Sequence, residues 1–500
     1  MNRQNILLVA AASITTAFAM MAVPAVGQLG QQTPGAPVSG PVAEPEPHPQ
    51  LIERAVPASQ ASIQQSFAPV VRRTAPAVVN VYSSVNITRS NCPYANDPFW
   101  AAFYCGDNVQ TRREKVDNSL GSGVIVGADG VIVTNNHVVE QGQEFRVVLS
   151  DRREFPATLV MKDDKSDLAV LKIDPRGETL PTLAFADTRG VQVGDLVLAI
   201  GNPFGVGQSV SSGIISALAR TDVGDFSSFI QTDASVNPGN SGGALVDMNG
   251  RLVGVNTLIF SRGGGSNGVG FAIPAEMVKR VVDAAVRGGT LVRPWLGAKG
   301  DTIDGPKAAA LGLDRPRGVL ISDVYAGGPA AKAGLREGDI ILSIDGREVF
   351  DDKGMKFIAA TKAEGEAVDI VTIRNGSQRS IRATLAAPPG TTKAELIVVG
   401  GRNPFTGAQV AQLSPALAEQ LGLDPFRARD GMLVYSVPPR TIARNVGFQP
   451  GDIIREINGA AIRTPRDLET AISRIEGSAD GVWRLAIERN GERKEVTLRS

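Results

Sequence analysis

From about Val70 to Val255 the chain alternates short apolar runs with breaks rich in glycine and aspartate, the spacing of β-strands joined by tight turns. Val124–Val126 and Val131–Thr134 flank Ala128-Asp129-Gly130, whose Asp-Gly pair tolerates the positive φ of a hairpin turn. Phe145–Leu149, Ala157–Met161, Leu168–Ile173, Leu196–Ile200 and Leu252–Asn256 continue the series. So many short strands at close spacing predict barrels or sandwiches, a mainly β fold. The period then changes: Pro274 to Arg287 sets Met277, Val278, Val281, Val282 and Ala285 on one helical face, and Gly288-Gly289 follow as a stop. That helix closes a first folded domain assigned to residues 66–289.

The remainder repeats itself. Gly338-Asp339-Ile340-Ile341, followed by Ile344-Asp345-Gly346, returns 113 residues later as Gly451-Asp452-Ile453-Ile454, followed by Ile457-Asn458-Gly459. The same offset pairs Gly318 with Gly431, Ala330 with Ala443, Gly334 with Gly447 and Leu335 with Phe448. Leu311-Gly312-Leu313-Asp314 returns as Leu421-Gly422-Leu423-Asp424 at a shift of 110. Solenoid repeats run about 20 to 50 residues, so a repeat of this length is a duplicated domain, here over 290–390 and 395–500.

Five hundred residues agree with three domains at roughly 150 each. Fifty-five glycines and 31 prolines favour turns over a helical bundle, and an apolar share of 43% is ample for buried cores. Fifty-one basic and 51 acidic residues cancel, which argues against nucleic acid or an anionic membrane as the partner and leaves proteins or small molecules. Two histidines exclude a multi-histidine metal site. No Walker-type phosphate loop is present, so no coupling to ATP and no cofactor is expected.

At the N-terminus, Arg3 precedes the apolar run Ile6–Ala12 and an Ala/Met/Val-rich stretch to Val26. Residues 1–27 therefore read as an export signal or, uncleaved, as a membrane anchor. Residues 28–65, rich in Pro, Gln and Ala, read as a flexible linker and contain His48. Cys92 and Cys105 flank an aromatic-rich segment as either a disulfide or two free thiols.

With His48 in the linker, His137 is the remaining histidine, in Thr134-Asn135-Asn136-His137 at the end of a predicted strand. Asp167 leads directly into the apolar run Leu168–Ile173, and Ser241 lies in Gly239-Asn240-Ser241-Gly242-Gly243, a turn whose backbone can crowd against a substrate. Singly, each has an ordinary structural reading. Jointly they supply a hydroxyl nucleophile, the imidazole that takes its proton and the carboxylate that fixes the imidazole tautomer. Their order along the chain is that of the chymotrypsin-like double barrel. The expected chemistry is acyl transfer by Ser241, with the amides of Gly239 and Ser241 as the oxyanion hole.

Thr134-Asn135-Asn136-His137, Asp167-Leu168-Ala169-Val170 and Gln231-Thr232-Asp233-Ala234 through Gly239–Leu245 resemble the three catalytic blocks of the HtrA/DegP family of exported serine proteases, and the duplicated module resembles its PDZ domains. The resemblance, from about residue 66 onward, implies a chymotrypsin-like double β-barrel followed by two PDZ domains, small β-sandwiches with helices. It implies an ATP-independent periplasmic endopeptidase of misfolded or unfolded envelope proteins, a chaperone role, and homo-trimers or multiples of trimers. Val236 and Ile259 match positions lining the family's primary pocket and would favour small aliphatic residues; both also suit a plain core. Arg220 resembles a regulatory loop arginine, and Cys92–Asn118 corresponds to a regulatory loop. Trp295, Leu296, Gly297 and Ala298 resemble the PDZ loop that takes a peptide C-terminus, or else form a buried Trp-Leu pair opening a strand. The matching Pro404-Phe405-Thr406-Gly407-Ala408 departs from that pattern, leaving peptide capture or assembly as its role. A non-cleaving PDZ chaperone or adaptor is the competing reading; an esterase is disfavoured by the appended peptide-binding modules.

Overall fold

The computed structural model describes residues 66–90, 111–202, 207–221, 228–259, 268–289, 291–476 and 481–499, without the side chains of 86–90, 111–119, 220, 258–259 and 476. The expected signal, the linker with His48, and Cys92 and Cys105 lie outside the described residues. The first part contains two closed barrels. β1 (Val78–Ser90), β2 (Thr111–Gly127), β3 (Val131–Asn135), β4 (Glu144–Val148), β5 (Glu154–Asp163) and β6 (Leu168–Ile173) close in the order β1-β2-β3-β6-β5-β4. β7 (Leu196–Gly201), β8 (Ser209–Arg220), β9 (Phe229–Thr232), β10 (Ala244–Asp247), β11 (Leu252–Ile259) and β12 (Gly270–Pro274) close in the order β10-β11-β12-β9-β8-β7.

Alternate residues of the same strand serve two cores. Ile132, Ala169, Leu171 and Ile173 fill the first barrel, whereas Val131, Val133, Leu168 and Val170 belong to a second core shared with the other barrel. β7 divides likewise, Val197 and Ala199 entering the second barrel, Leu198 and Ile200 the shared core. A strand buried on both faces needs an unbroken apolar run, which is why these segments stand out in the sequence. Helix α1 (Ala275–Val286) packs its predicted face, Met277, Val278, Val281, Val282 and Ala285, on that shared core. The β pattern starts later than the sequence suggests: Ala68–Thr74 is a short helix with Pro69 in its first turn, and the first strand opens at Val78.

Two similar sheets follow. The first has β13 (Ala298–Thr302), β14 (Val319–Val324), β15 (Ile340–Ile344), β16 (Arg347–Glu348), β17 (Ala367–Arg374) and β18 (Ser377–Thr384), with helix α2 (Asp352–Thr361). The second has β19 (Ile397–Val398), β20 (Gln409–Gln412), β21 (Met432–Ser436), β22 (Ile453–Ile457), β23 (Ala460–Ala461), β24 (Val482–Arg489) and β25 (Glu492–Arg499), with helices α3 (Pro415–Gln420) and α4 (Pro465–Glu476).

The repeated motif has a physical cause. Asp339, 1% exposed, accepts from the Arg336 amide at 2.8 Å and from Arg374 Nε and Nη2 at 2.6 Å each, while Arg374 also donates to the Gly334 carbonyl. Asp452, equally buried, accepts from the Gln449 amide at 2.9 Å and from Arg489 Nε and Nη2 at 2.6 Å, with Arg489 donating to the Gly447 carbonyl. A buried carboxylate persists only when paired and hydrogen-bonded. Asp345-Gly346 and Asn458-Gly459 follow, all four at positive φ, the backbone of a tight hairpin turn.

Candidate active site

Strand pairing brings His137 to Asp167. β3 and β6 run antiparallel with Thr134 opposite Ala169 and Asn135 opposite Leu168, so the residues just beyond the ladder face each other. His137 lies on the single turn Asn136–Val139, and Asp167 enters β6 with φ +53°. The Asp167 carbonyl accepts from the Asn136 amide at 3.0 Å and from Asn135 Nδ2 at 2.9 Å. Its carboxylate accepts from the His137 amide at 3.0 Å and meets His137 Nδ1 at 3.0 and 2.8 Å. An ionised carboxylate can only accept, so the imidazole proton sits on Nδ1 and Nε2 presents its lone pair outward.

Ser241 reaches this pair through a residue that sequence reasoning did not single out. Ser241 Oγ donates to the Thr257 carbonyl at 3.0 Å, and Thr257 Oγ1 donates to Asp167 Oδ2 at 2.6 Å. Thr257 thus joins the Ser241 hydroxyl to the Asp167 carboxylate, and among the described residues Ser241 makes no direct hydrogen bond to His137. Nothing in Val255-Asn256-Thr257 marks this role; it follows from β11 lying beside the serine turn, where the Gly242 amide donates to the Asn256 carbonyl at 2.8 Å.

The serine turn is locked between the barrels by Ser122, also not anticipated, although Gly121-Ser122-Gly123 hints at close approach. The Ser122 amide donates to the Ser241 carbonyl at 2.8 Å and Ser122 Oγ to the Gly239 carbonyl at 2.6 Å, while Ser122 Oγ accepts from the Asn202 amide at 2.9 Å. A Cβ on Gly242, at φ +83°, would lie 2.1 Å from the Ser122 carbonyl oxygen, so only glycine fits. Within the turn the amides of Asn240, Gly242 and Gly243 donate to Asn237, Asn256 and Asn240 carbonyls. Those of Gly239 and Ser241 have no acceptor among the described residues, the condition an oxyanion hole requires.

The other expected residues fall as follows. Val236 is 1% exposed in the core of the second barrel, and a Cβ on Gly270 would meet its Cγ2 at 2.9 Å. Ile259 ends β11 opposite Gly270 and Arg220 ends β8 opposite Phe229; the side chains of both lie outside the description. In the loop entering β13, the Trp295 amide donates to the Ala386 carbonyl at 3.0 Å, and the Leu296 and Gly297 carbonyls accept from the Ala330 and Tyr325 amides. The amides of Leu296 and Gly297 have no acceptor among the described residues.

Two barrels with a hydroxyl, imidazole and carboxylate at their junction define a trypsin-like peptidase, here followed by a duplicated β module. The chain matches the trypsin-like peptidase domain over residues 121–255 and PDZ domains over 320–374 and 419–499. It is 36% identical over 469 residues to a probable periplasmic serine endoprotease, DegP-like, of Halomonas elongata, covering 90% of this chain and 97% of that protein. The similarly named proteins of Chlamydia pneumoniae and Brucella suis are 35% and 38% identical over 82% and 76% of this chain, and 85% and 73% of theirs. A solved HtrA-type protease, AlgW with decapeptide, aligns with 42% identity and a TM-score of 0.49, over 65% of this chain and 100% of that one. The chain belongs to the DegP-like family of serine endoproteases, and it is a serine endopeptidase with two PDZ domains.

Proposed function

We propose that Ser241 is the nucleophile, His137 the base and then the acid, Asp167 the residue that orients the imidazole, and the amides of Gly239 and Ser241 the oxyanion hole. The observation that carries this reading is the bonded chain His137–Asp167–Thr257–Ser241 beside two amides without acceptors. Rotation of the Ser241 hydroxyl from the Thr257 carbonyl to His137 Nε2 starts the reaction. Oγ adds to the scissile carbonyl carbon as its proton passes to Nε2, and the carbonyl oxygen takes the negative charge. The intermediate collapses by breaking the C–N bond, with the Nε2 proton leaving on the amine. Water, deprotonated by the same nitrogen, then adds to the acyl carbon, and breaking of its bond to Oγ releases the acid as the proton passes from Nε2 back to Ser241.

The substrates proposed are unfolded or misfolded proteins of the periplasm, cut without ATP after small aliphatic residues set by Val236 and Ile259, with an accompanying chaperone role. The relatives' names support the compartment, and no helix of the described residues is long and apolar enough to cross a membrane. The working division is a protease domain over 66–289 and PDZ domains over 290–390 and 395–500, assembling as trimers or their multiples, with Trp295–Ala298 receiving peptide C-termini and Arg220 regulating the site.

Ser241→Ala should lower cleavage of unfolded casein at least about a thousandfold while leaving the thermal transition in place. Residual cleavage at wild-type rate by the purified variant would remove Ser241 from the mechanism. Mass spectrometry of the products reads the residue preference in the same experiment.

A further inference from the structure

The first PDZ groove is already covered by the second PDZ domain. Between the Trp295–Ala298 loop, β13 and α2 lies a cavity of about 350 Å³ whose remaining wall is Glu419 and Gly422–Phe426, all from the second module. Phe426, 7% exposed, sets its ring 5.7 Å from that of Trp295, which in turn packs 5.3 Å from Tyr325. Arg429 fastens the same segment: its guanidinium lies 5.8 Å from the Tyr325 and Phe426 ring centres and pairs with Asp323 of the first module.

The groove side contributes Lys299, on β13, and Asp352, Lys353 and Lys356, on α2, with Lys356 paired to Asp352 at 2.6 Å, and the covering segment contributes Asp424 and Glu419. Lys299 is ion-paired with Asp424. Burial opposes ionisation of Asp424, yet the Lys299 ammonium and the Phe426 amide hold its carboxyl below the usual range. Burial pushes the Glu419 carboxyl up against the opposing pull of Lys165, Arg293 and Lys356, and Lys165 donates to the Glu419 carbonyl. An acidic group and an aromatic ring thus stand beside a loop with two amides that lack acceptors, the features a peptide with a free C-terminal carboxylate would bring to the same place.

We propose that Glu419–Phe426 of the second PDZ domain is an intramolecular cap on the first PDZ groove, which a carboxylate-ended peptide must displace to bind. The inference rests on the reading of Trp295–Ala298 as a peptide C-terminus site. It makes peptide affinity a property of the tandem, because a cap closed nine-tenths of the time weakens apparent affinity about tenfold. The segment that leaves carries the Lys299–Asp424 pair and the Trp295–Phe426 contact between the modules, so peptide capture loosens the second module from the first.

The test uses full-length Ser241→Ala protein and fluorescein-labelled decapeptides ending in a free valine, leucine or phenylalanine carboxylate, with the amidated peptides as controls. Phe426→Ala, which changes no charge, and Asp424→Asn should each tighten binding of the free-carboxylate peptides about tenfold by fluorescence anisotropy. Hydrogen exchange in the parent should quicken across 419–429 when peptide is added. Equal affinity in parent and variants, weaker binding in Phe426→Ala, or unchanged exchange with peptide bound overturns the cap and leaves the peptide site standing. Failure of every variant to distinguish free carboxylate from amide overturns the peptide site and the cap with it. Should Phe426→Ala unfold, Asp424→Asn and the exchange measurement on the parent decide the matter.

Discussion

The two PDZ modules share their framework and differ where a peptide would enter. Gly297 and Gly407 occupy equivalent turns at φ +71° and +84°, and the Leu296 and Thr406 carbonyls accept from the equivalent Ala330 and Ala443 amides. In the first module β13 is an edge strand and two loop amides are without acceptors among the described residues. In the second, β19 pairs with the outer edge of β20, Ile397 opposite Val410 and Val398 opposite Gln409. Its loop donors are consumed: the Phe405 amide goes to Asn403 Oδ1, that of Thr406 to the Asn403 carbonyl, that of Gly407 to Val399 and that of Ala408 to Phe405. Phe405 itself is fully buried, 5.1 Å from Phe448 and 6.1 Å from Trp483 by ring centres. A strand edge binds only while its donors and acceptors are unpaired, so the two modules share a scaffold but differ in the backbone groups they leave for a peptide. The second module sets Asp424 and Phe426 against Lys299 and Trp295 of the first.

The shared framework is where the largest effect is expected. Asp339→Ala and Asp452→Ala each remove a buried carboxylate and leave a half-buried arginine and a turn amide without it, and each should cost its own module about 3 kcal/mol. Urea unfolding followed by limited proteolysis would assign the loss; a loss confined to one module would show that the two frameworks are not equivalent.

Next in size is peptide capture. Gly297→Val places a β-branched residue at positive φ and should weaken binding of free-carboxylate peptides about a hundredfold, whereas Gly407→Ala should leave affinity unchanged, because its loop amides are bonded internally. Equal losses would put a working site in both modules. Gly407→Ala should still lower the unfolding temperature, since its Cβ would meet Thr441 Cγ2 at 2.4 Å.

The smallest effect is on acid stability. Burial opposes ionisation of Asp339, but the Arg374 guanidinium and Arg336 amide prevail and hold its carboxyl below the usual carboxylate range. A depressed folded-state value means that Asp339 adds stability above the unfolded carboxylate value of about 4, and that this is lost as pH falls through the lower folded value. The gap in unfolding temperature between the parent and Asp339→Asn should therefore be constant from pH 7 to 5 and narrow below pH 4. A gap that persists undiminished at pH 2 would show that packing, and not ionisation, sets the role of Asp339.

Much of this molecule was legible as text. Strands shared between two cores must be apolar on both faces, which made β3, β6 and β7 visible, and the one-sided period of α1 did the same for the helix. β8, with polar or small residues such as Ser209, Ser211, Ser212 and Gly213, carried no such run and was not picked out. The duplication showed because a buried aspartate between glycine turns admits few substitutes. His137, Asp167 and Ser241 stood out because the proposed acyl transfer needs those residue types in that order, and the structure connects them through Thr257. Thr257 and Ser122 were not, since their work is done by a backbone carbonyl, a backbone amide and two hydroxyls whose value depends on which strand lies alongside. Residue identity and spacing thus determined the chemistry available, the strand periods and the repeat. Register and domain contact decided what Ser241 bonds, which loop amides have acceptors and which groove is covered, because hydrogen bonds and burial are properties of neighbours that the linear chain does not specify.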